Sequence, residues 1–229
     1  MATGKRDKEA HAWSHRRRIP RRDAVQVAAG QERDEDRVDA GALVAVLYPV
    51  SKLRPMSTSL YDLSVPTFLQ TVRAIGGFLG RAADHFAETG VDADAFVHTR
   101  LFDDMAPFHF QIEAAWHHAV WGVEALKTGA FTPPALVGPV PFAELQAMMV
   151  RAETALEAFR RGEVDGWAGK DLDLQIGPRR LAFTSETFIL SFSLPNFHFH
   201  AVTAYDILRS HGVPIGKRDY EGQLRTRTA

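Results

Sequence analysis

Histidine and its polar neighbours are where this chain could do chemistry, and one segment concentrates them. In LPNFHFHAVTAYDILRSH (194–211), Phe197, His200/Ala201, Ala204 and Leu208 recur at three- and four-residue intervals, the period of one helix face, which puts an imidazole on an apolar stripe. Asn196 lies one turn before His200 on that face, so the pair has the i, i+4 spacing that metal-binding helices fill with two histidines. Here one of the two is a carboxamide. The chain has ten histidines and no cysteine, so thiolate metal sites, disulfides and a cysteine nucleophile are excluded and any soft-metal chemistry must be imidazole chemistry. Motifs of the GxxxxGK[ST], GxSxG and HExxH types are absent, which disfavours the corresponding phosphate-binding, serine-hydrolase and zinc-protease classes.

The elements that must position His200 are helical. Ser64 is placed to cap a helix over 65–89 that Pro66 enters in its first turn, with Phe68, Val72, Ile75, Leu79 and Phe86 as its stripe and Gly90 as its stop. A short helical linker, DADAFVHTR (92–100), capped by Asp92, follows it. A second long helix is expected over 104–127, closed by Gly129, and a third from Phe142 to near Gly162. Between them FTPPALVGPVP (131–141) has four prolines and reads as an extended connection. Leu172, Leu174 and Ile176 alternate with polar residues before Gly177-Pro178, which predicts a small β-hairpin. The last helix starts around Ser185 and is kinked or interrupted by Pro195 before its 195–211 half, which Gly212 and Pro214 end. The class is all-α, with a small β-hairpin before the last helix.

Five blocks carry a family resemblance: SLYDLSVPTFLQTVRAI (59–75), DMAPFHFQIEAAWHHA (104–119), FAELQAMM (142–149), LPNFHFHAVTAYDILR (194–209) and GVPIGKRDYEG (212–222). From Met56 to about Gly222 the chain resembles the domain-of-unknown-function family DUF1993, within the DinB/YfiT-like superfamily of metalloenzyme-like proteins. The resemblance implies an antiparallel four-helix bundle, often a homodimer, and no assigned reaction. In the metal-binding branches, one histidine of the second helix and an HxxxH pair of the fourth converge on a divalent ion such as Zn or Ni, leaving an open position to activate water or thiol. Carried onto this chain, His200 is the last ligand, Asn196 the one before it, and Gln111 falls near the third. Two carboxamides then replace two imidazoles.

Three readings of that set stay open. Gln111, Asn196 and His200 can satisfy one another as a polar core cluster. They can form a weakened or relocated metal site that recruits His118, seven residues beyond Gln111. Without metal, His200 can serve as a general base, for which an ordinary pKa near 6.5 would suit. His117 and His118 diverge by about 100° around a regular helix, so at least one is expected at solvent or a subunit interface. His109 and His198 are expected to point away from Gln111 and His200, to exposed or interface positions. His85, His98 and His211 read as surface or helix-end residues, Arg179 and Arg180 as solvated, and Lys217, Arg218 and Asp219 as an exposed cluster pinning the tail.

Charge divides the chain in two. Residues 1–55 hold 12 Lys/Arg against 8 Asp/Glu, a net of +4, and residues 56–229 hold 15 against 20, a net of −5. The basic arm lacks helical periodicity and reads as disordered. Nucleic-acid binding through Arg16, Arg17, Arg18, Arg21 and Arg22 is a third functional class, weakened by the scarcity of aromatic platforms in the arm. Because the resemblance begins at Met56, initiation there, with 1–55 as an upstream extension, is an open alternative. GALVAVLYPV (41–50) is too short to span a bilayer, and no secretory leader is visible, so a cytoplasmic location is expected. The functional expectation is an uncharacterised bundle protein with a degenerate metal site, non-catalytic or of unknown activity, with no cofactor beyond weak Zn or Ni and no membrane partner. The alternative is an enzyme resembling metal-dependent thiol transferases or hydrolases.

Overall fold

A computed structural model describes residues 58–133 and 137–226, so the expectations for the N-terminal arm, its apolar stretch 41–50 and Met56 lie outside the described residues. Tyr61, Asp62 and the rest of a one-turn helix, α1 (Leu60–Leu63), precede the first long helix, α2 (Val65–Thr89), which Pro66 enters and Gly90 ends in the left-handed conformation at φ 73°. Ser64 does not cap it through its side chain: the hydroxyl donates back to Leu60 O at 2.6 Å, because the preceding turn offers that carbonyl first. Asp92 caps α3 (Ala93–Phe96) by accepting the N–H groups of Asp94 and Ala95.

The second long helical run starts at Phe108, four residues later than the periodicity suggests: Pro107 stands at its N-cap with an extended backbone, and the residue before a proline is held out of the helical region. It comprises α4 (Phe108–Trp116), a π-helical turn (His117–Trp121) and α5 (Gly122–Thr128). The proline-rich connection is not wholly irregular, since Ala130–Phe131 forms a short strand, β1. Then come α6 (Phe142–Ala158) and α7 (Arg161–Asp165). Phe159 already has an extended backbone, so the third helix stops before Gly162.

The hairpin consists of β2 (Asp171–Ile176) and antiparallel β3 (Arg179–Thr184), with Leu172 opposite Phe183 and Leu174 opposite Leu181. β1 pairs with β2 in parallel, making a three-stranded sheet of order β1-β2-β3. Thr184 caps the final helical run through a reciprocal box with Thr187. That run is α8 (Ser185–Phe188), a second π turn (Ile189–Ser193) and α9 (Leu194–Ser210), and α10 (Lys217–Glu221) follows.

The domain is therefore mostly helical with a small sheet. Helix α2 packs on α6 and α9, and α4 packs on α9 and α6, so the apolar stripes meet in one core that includes Phe68, Phe78, Phe108, Phe188 and Phe197. Each such ring is worth roughly 1.5–3 kcal/mol of burial before chain entropy is counted. Helix α4 is covered nearly all round, with Phe108, His109 and every residue from Gln111 to Ala115 buried. Among the described residues no helix is long and apolar enough to cross a membrane.

Candidate functional site

Proline dictates the local geometry that brings the polar residues together. Pro195 has no N–H and cannot donate to a carbonyl in the preceding turn. The helix answers by widening: Leu194 N–H reaches back five residues to Ile189 O, which makes the π turn. Asn196, in the turn after the proline, donates its side-chain amide to Phe192 O at 2.7 Å. The run is thus accommodated rather than broken at Pro195.

A matching π turn lies on the facing helical run, where Gly122 N–H reaches His117 O. The two are joined directly, since Ser193 Oγ donates to His118 O at 2.8 Å. Gly122 permits this approach: a Cβ there would stand 2.4 Å from Ser193 Oγ, inside any real contact. Neither Ser193 nor Gly122 is marked by periodicity or charge, and the only sequence signal for the junction is Pro195 itself.

Between these turns sits the imidazole group. His200 Nδ1–H donates to Gln111 Oε1 at 2.8 Å. The Gln111 amide nitrogen donates to Ala106 O at 2.9 Å, which leaves its oxygen facing the ring and places the proton on Nδ1 of His200. The His118 ring lies nearly parallel to that of His200, at 13° and 6.0 Å between centres, and Phe131 and Phe192 also flank it. His118 Nδ1 is buried and has no hydrogen-bond partner among the described residues. Phe110 and Phe199 border His200.

These surroundings keep the imidazoles neutral. Burial pushes His200 down from 6.5 to about 4. It pushes His118 down to about 3, with the nearness of His200 and His117 adding to the effect. At neutral pH a group of pKa near 4 is a weak proton acceptor, which counts against His200 as a metal-free general base.

The structure thus joins Gln111 to His200 and sets His118 beside them. Asn196 makes its bond within its own helix, so the mutual three-residue cluster is reduced to a pair. His117 and His118 do not divide between core and solvent: His117 is buried and held down to about 4 by desolvation, while Trp116 and Trp121 flank its ring and His118 turns toward the core. His109 is not exposed either, because α4 is covered on that side as well. His198 is half-buried and hydrogen-bonded to Tyr220 Oη at 3.0 Å. Arg179 and Arg180 are exposed, with Arg180 paired to Asp173 across the hairpin. Asp219 pairs with Arg81 at 3.1 Å and docks the C-terminal segment on α2.

Glu113 escaped the sequence reading. It lies off the apolar stripe of α4, yet its carboxylate is completely buried. Oε1 meets His109 Nδ1 at 3.3 Å and Oε2 accepts Val137 N–H at 3.0 Å. The HxxxE spacing of His109 and Glu113 was the available signal.

Comparison with known proteins fixes the family. A family model described as a domain of unknown function, DUF1993, matches residues 60–221. The chain belongs to this family. Its structure is similar to the crystal structure of a DinB family member protein from Shewanella denitrificans, with a TM-score of 0.63 and 28% identity, over 74% of this chain and 96% of that one. No curated protein sequence matches the chain.

A divalent ion of the kind found in metal-binding DinB-like proteins needs three protein ligands and an open position. The side chains here do not fit that demand. The Gln111 oxygen is engaged by His200, the Asn196 amide by Phe192 O, and two imidazoles remain. Among the described residues no three His, Asp or Glu side chains are grouped to hold an ion.

Proposed function

We propose that this domain is a DinB-like four-helix bundle, homodimeric as the family resemblance implies, whose inherited metal position has become a neutral imidazole–carboxamide pair. It is then a binding or scaffolding member of the superfamily rather than a metal-dependent enzyme. The observation that carries this reading is the 2.8 Å bond from His200 Nδ1–H to Gln111 Oε1, with the Gln111 nitrogen tied to Ala106 O. A buried carboxamide satisfied at both ends is a hydrogen-bonding element of the core. An amide oxygen is also a poor donor for zinc or nickel compared with imidazole.

Metal analysis of the purified full-length protein beside a His200→Ala variant tests the reading. Under metal-replete growth, sub-stoichiometric metal in both is the expected result. One equivalent in the parent, lost in the variant, would overturn it. A monomeric mass at micromolar concentration would overturn the dimer.

A second reading rests on one atom. Among the described residues His118 Nδ1 is buried without a partner, and such orphans call for an explanation. In an enzyme resembling the metal-dependent thiol transferases or hydrolases, His118 and His200 would both face an ion that polarises water or thiol. Loss of one metal equivalent in His118→Ala and His200→Ala alike would replace the first reading with this one.

A further inference from the structure

The small sheet ends in β3, and the outer side of that strand is open. In β2 the Asp173 N–H donates to Gly129 O at 2.9 Å, on the side of β1, so it gives nothing to β3. Its neighbour across the hairpin is Ala182. Hydrogen-bonded and non-hydrogen-bonded pairs alternate in an antiparallel ladder, so Asp173–Ala182 and Gln175–Arg180 are both non-bonded pairs. The N–H and C=O groups of Arg180 and Ala182 therefore point away from β2, and among the described residues no backbone bond reaches them. Thr184 follows the same alternation, but its N–H is taken by Thr187 Oγ1 at 2.8 Å.

An open edge of this kind is a template for another strand. Arg179 to Ala182 are all exposed, whereas Leu172 and Leu174 of β2 are buried, so the edge stands clear of the helices. Leu181 lies opposite Leu174, on the face that β2 turns to the core, yet it is 46% exposed. Ile176, on that same face, is 44% exposed.

The strand is also complementary to itself in one register. A two-fold axis through Leu181 sets Arg180 opposite Ala182 of the partner subunit and Ala182 opposite the partner's Arg180, which satisfies every outward N–H and C=O of those residues. Each arginine then faces an uncharged residue, since Arg179 falls opposite Phe183 of the partner subunit, and Arg180 is already paired with Asp173 inside its own hairpin. Moving the axis to Arg180 sets two like charges against each other and brings Pro178, which has no N–H, opposite Ala182. Moving it to Ala182 brings Arg180 opposite Thr184, whose N–H is engaged.

We propose that β3 is the interface between two copies of this chain, joined edge to edge and antiparallel into one continuous sheet with Leu181 against Leu181 at the two-fold axis. The proposal rests on the homodimer read above and adds the place where the copies meet.

Cysteine placement reads the register, because the chain has no cysteine of its own. In a non-hydrogen-bonded antiparallel pair the Cα atoms are about 4.5 Å apart, within the roughly 4.4–6.8 Å that a disulfide spans. Full-length Leu181→Cys under mild oxidation is expected to run as a disulfide-linked dimer on non-reducing electrophoresis. Arg179→Cys is expected to stay uncrosslinked, since its two copies lie about 13 Å apart along the strands. Ala182→Pro deletes an N–H that β2 does not use, so the hairpin keeps its ladder while the bonds from that N–H in both copies are lost. Its dimer dissociation constant, measured by analytical ultracentrifugation, should rise tenfold or more with the circular dichroism of the parent retained. A parent dimer matched by Ala182→Pro, or equal crosslinking at positions 181 and 179, would overturn the edge interface and leave the homodimer standing. A monomeric parent would overturn both.

Discussion

Helix α4 carries a polar side chain into the protein on two sides, and the two are held in different ways. On the side facing α9, Gln111 meets His200, and every group involved is neutral. On the other side Glu113 meets His109 and the Val137 amide, and the buried acceptor is a carboxylate. The first arrangement closes on itself, since the Gln111 oxygen and nitrogen each have one partner. The second leaves the His109 ring beside that of the exposed His98, with 6.1 Å between their centres. A neutral acceptor can be absorbed into a core, whereas a buried carboxylate keeps polarising whatever it touches.

The sharpest way to break the comparison is to remove the carboxylate. Glu113→Ala leaves the His109 ring and the Val137 N–H without an acceptor and opens a cavity in a fully buried position. A loss of roughly 3–5 kcal/mol is expected, as for other buried pairs that lose one partner. Chemical denaturation measures it. A loss below about 1 kcal/mol would mean that the carboxylate is solvated in the working protein.

Acid should unsettle the neutral side next. The folded-state values of His200 and His118, about 4 and about 3, lie below the ordinary 6.5 of the unfolded chain. The unfolded state therefore binds more protons throughout that interval, and stability rises with pH across it. The contribution is fully present above pH 6.5 and is lost as pH falls toward 4 and then 3. For His200 alone the difference amounts to roughly 3 kcal/mol. Melting temperature followed from pH 7 to pH 4 should fall, and His200→Phe should flatten the profile. An unchanged profile in that variant would show that His200 is not the group being protonated.

How far the sequence discloses this arrangement depends on the kind of signal. The helices containing Phe68, Phe142 and Phe197 are legible because their stripes have the helical period and Gly90 and Gly129 mark the stops. The hairpin is legible because Leu172, Leu174 and Ile176 alternate before Gly177. His200 and Gln111 can be paired only through family likeness, since 89 residues separate them. The π turns are illegible at His117–Trp121, where nothing like Pro195 announces one, and so the regular-helix angle between His117 and His118 misleads. Glu113 is hidden by the assumption that a helix has one dry face, which fails for α4 because loops cover its remaining side.

Removing the neutral acceptor should cost less than removing the charged one. Gln111→Leu keeps the volume but strands the His200 N–H and the Ala106 carbonyl, for about 1–3 kcal/mol of stability. Gln111→Glu sharpens the contrast by placing a carboxylate where the neutral amide stands, and it should raise the His200 pKa from about 4. NMR titration of the His200 ring reads that shift directly. A His200 value unmoved by Gln111→Glu would mean that residue 111 does not touch the ring in solution.

The smallest effect belongs to Asn196, and it separates a local helix role from membership of the cluster. Its amide bonds to Phe192 O within the turn that Pro195 disrupts, and to neither Gln111 nor His200. Asn196→Ala should therefore cost only about 0.5–1.5 kcal/mol, the net worth of one hydrogen bond, and leave the His200 titration where it is. Paired with Gln111→Leu in a double-mutant cycle, the two losses should add, because the residues share no partner. A coupling above about 0.5 kcal/mol would tie Asn196 to the imidazole pair after all and restore the three-residue cluster on this face of α9.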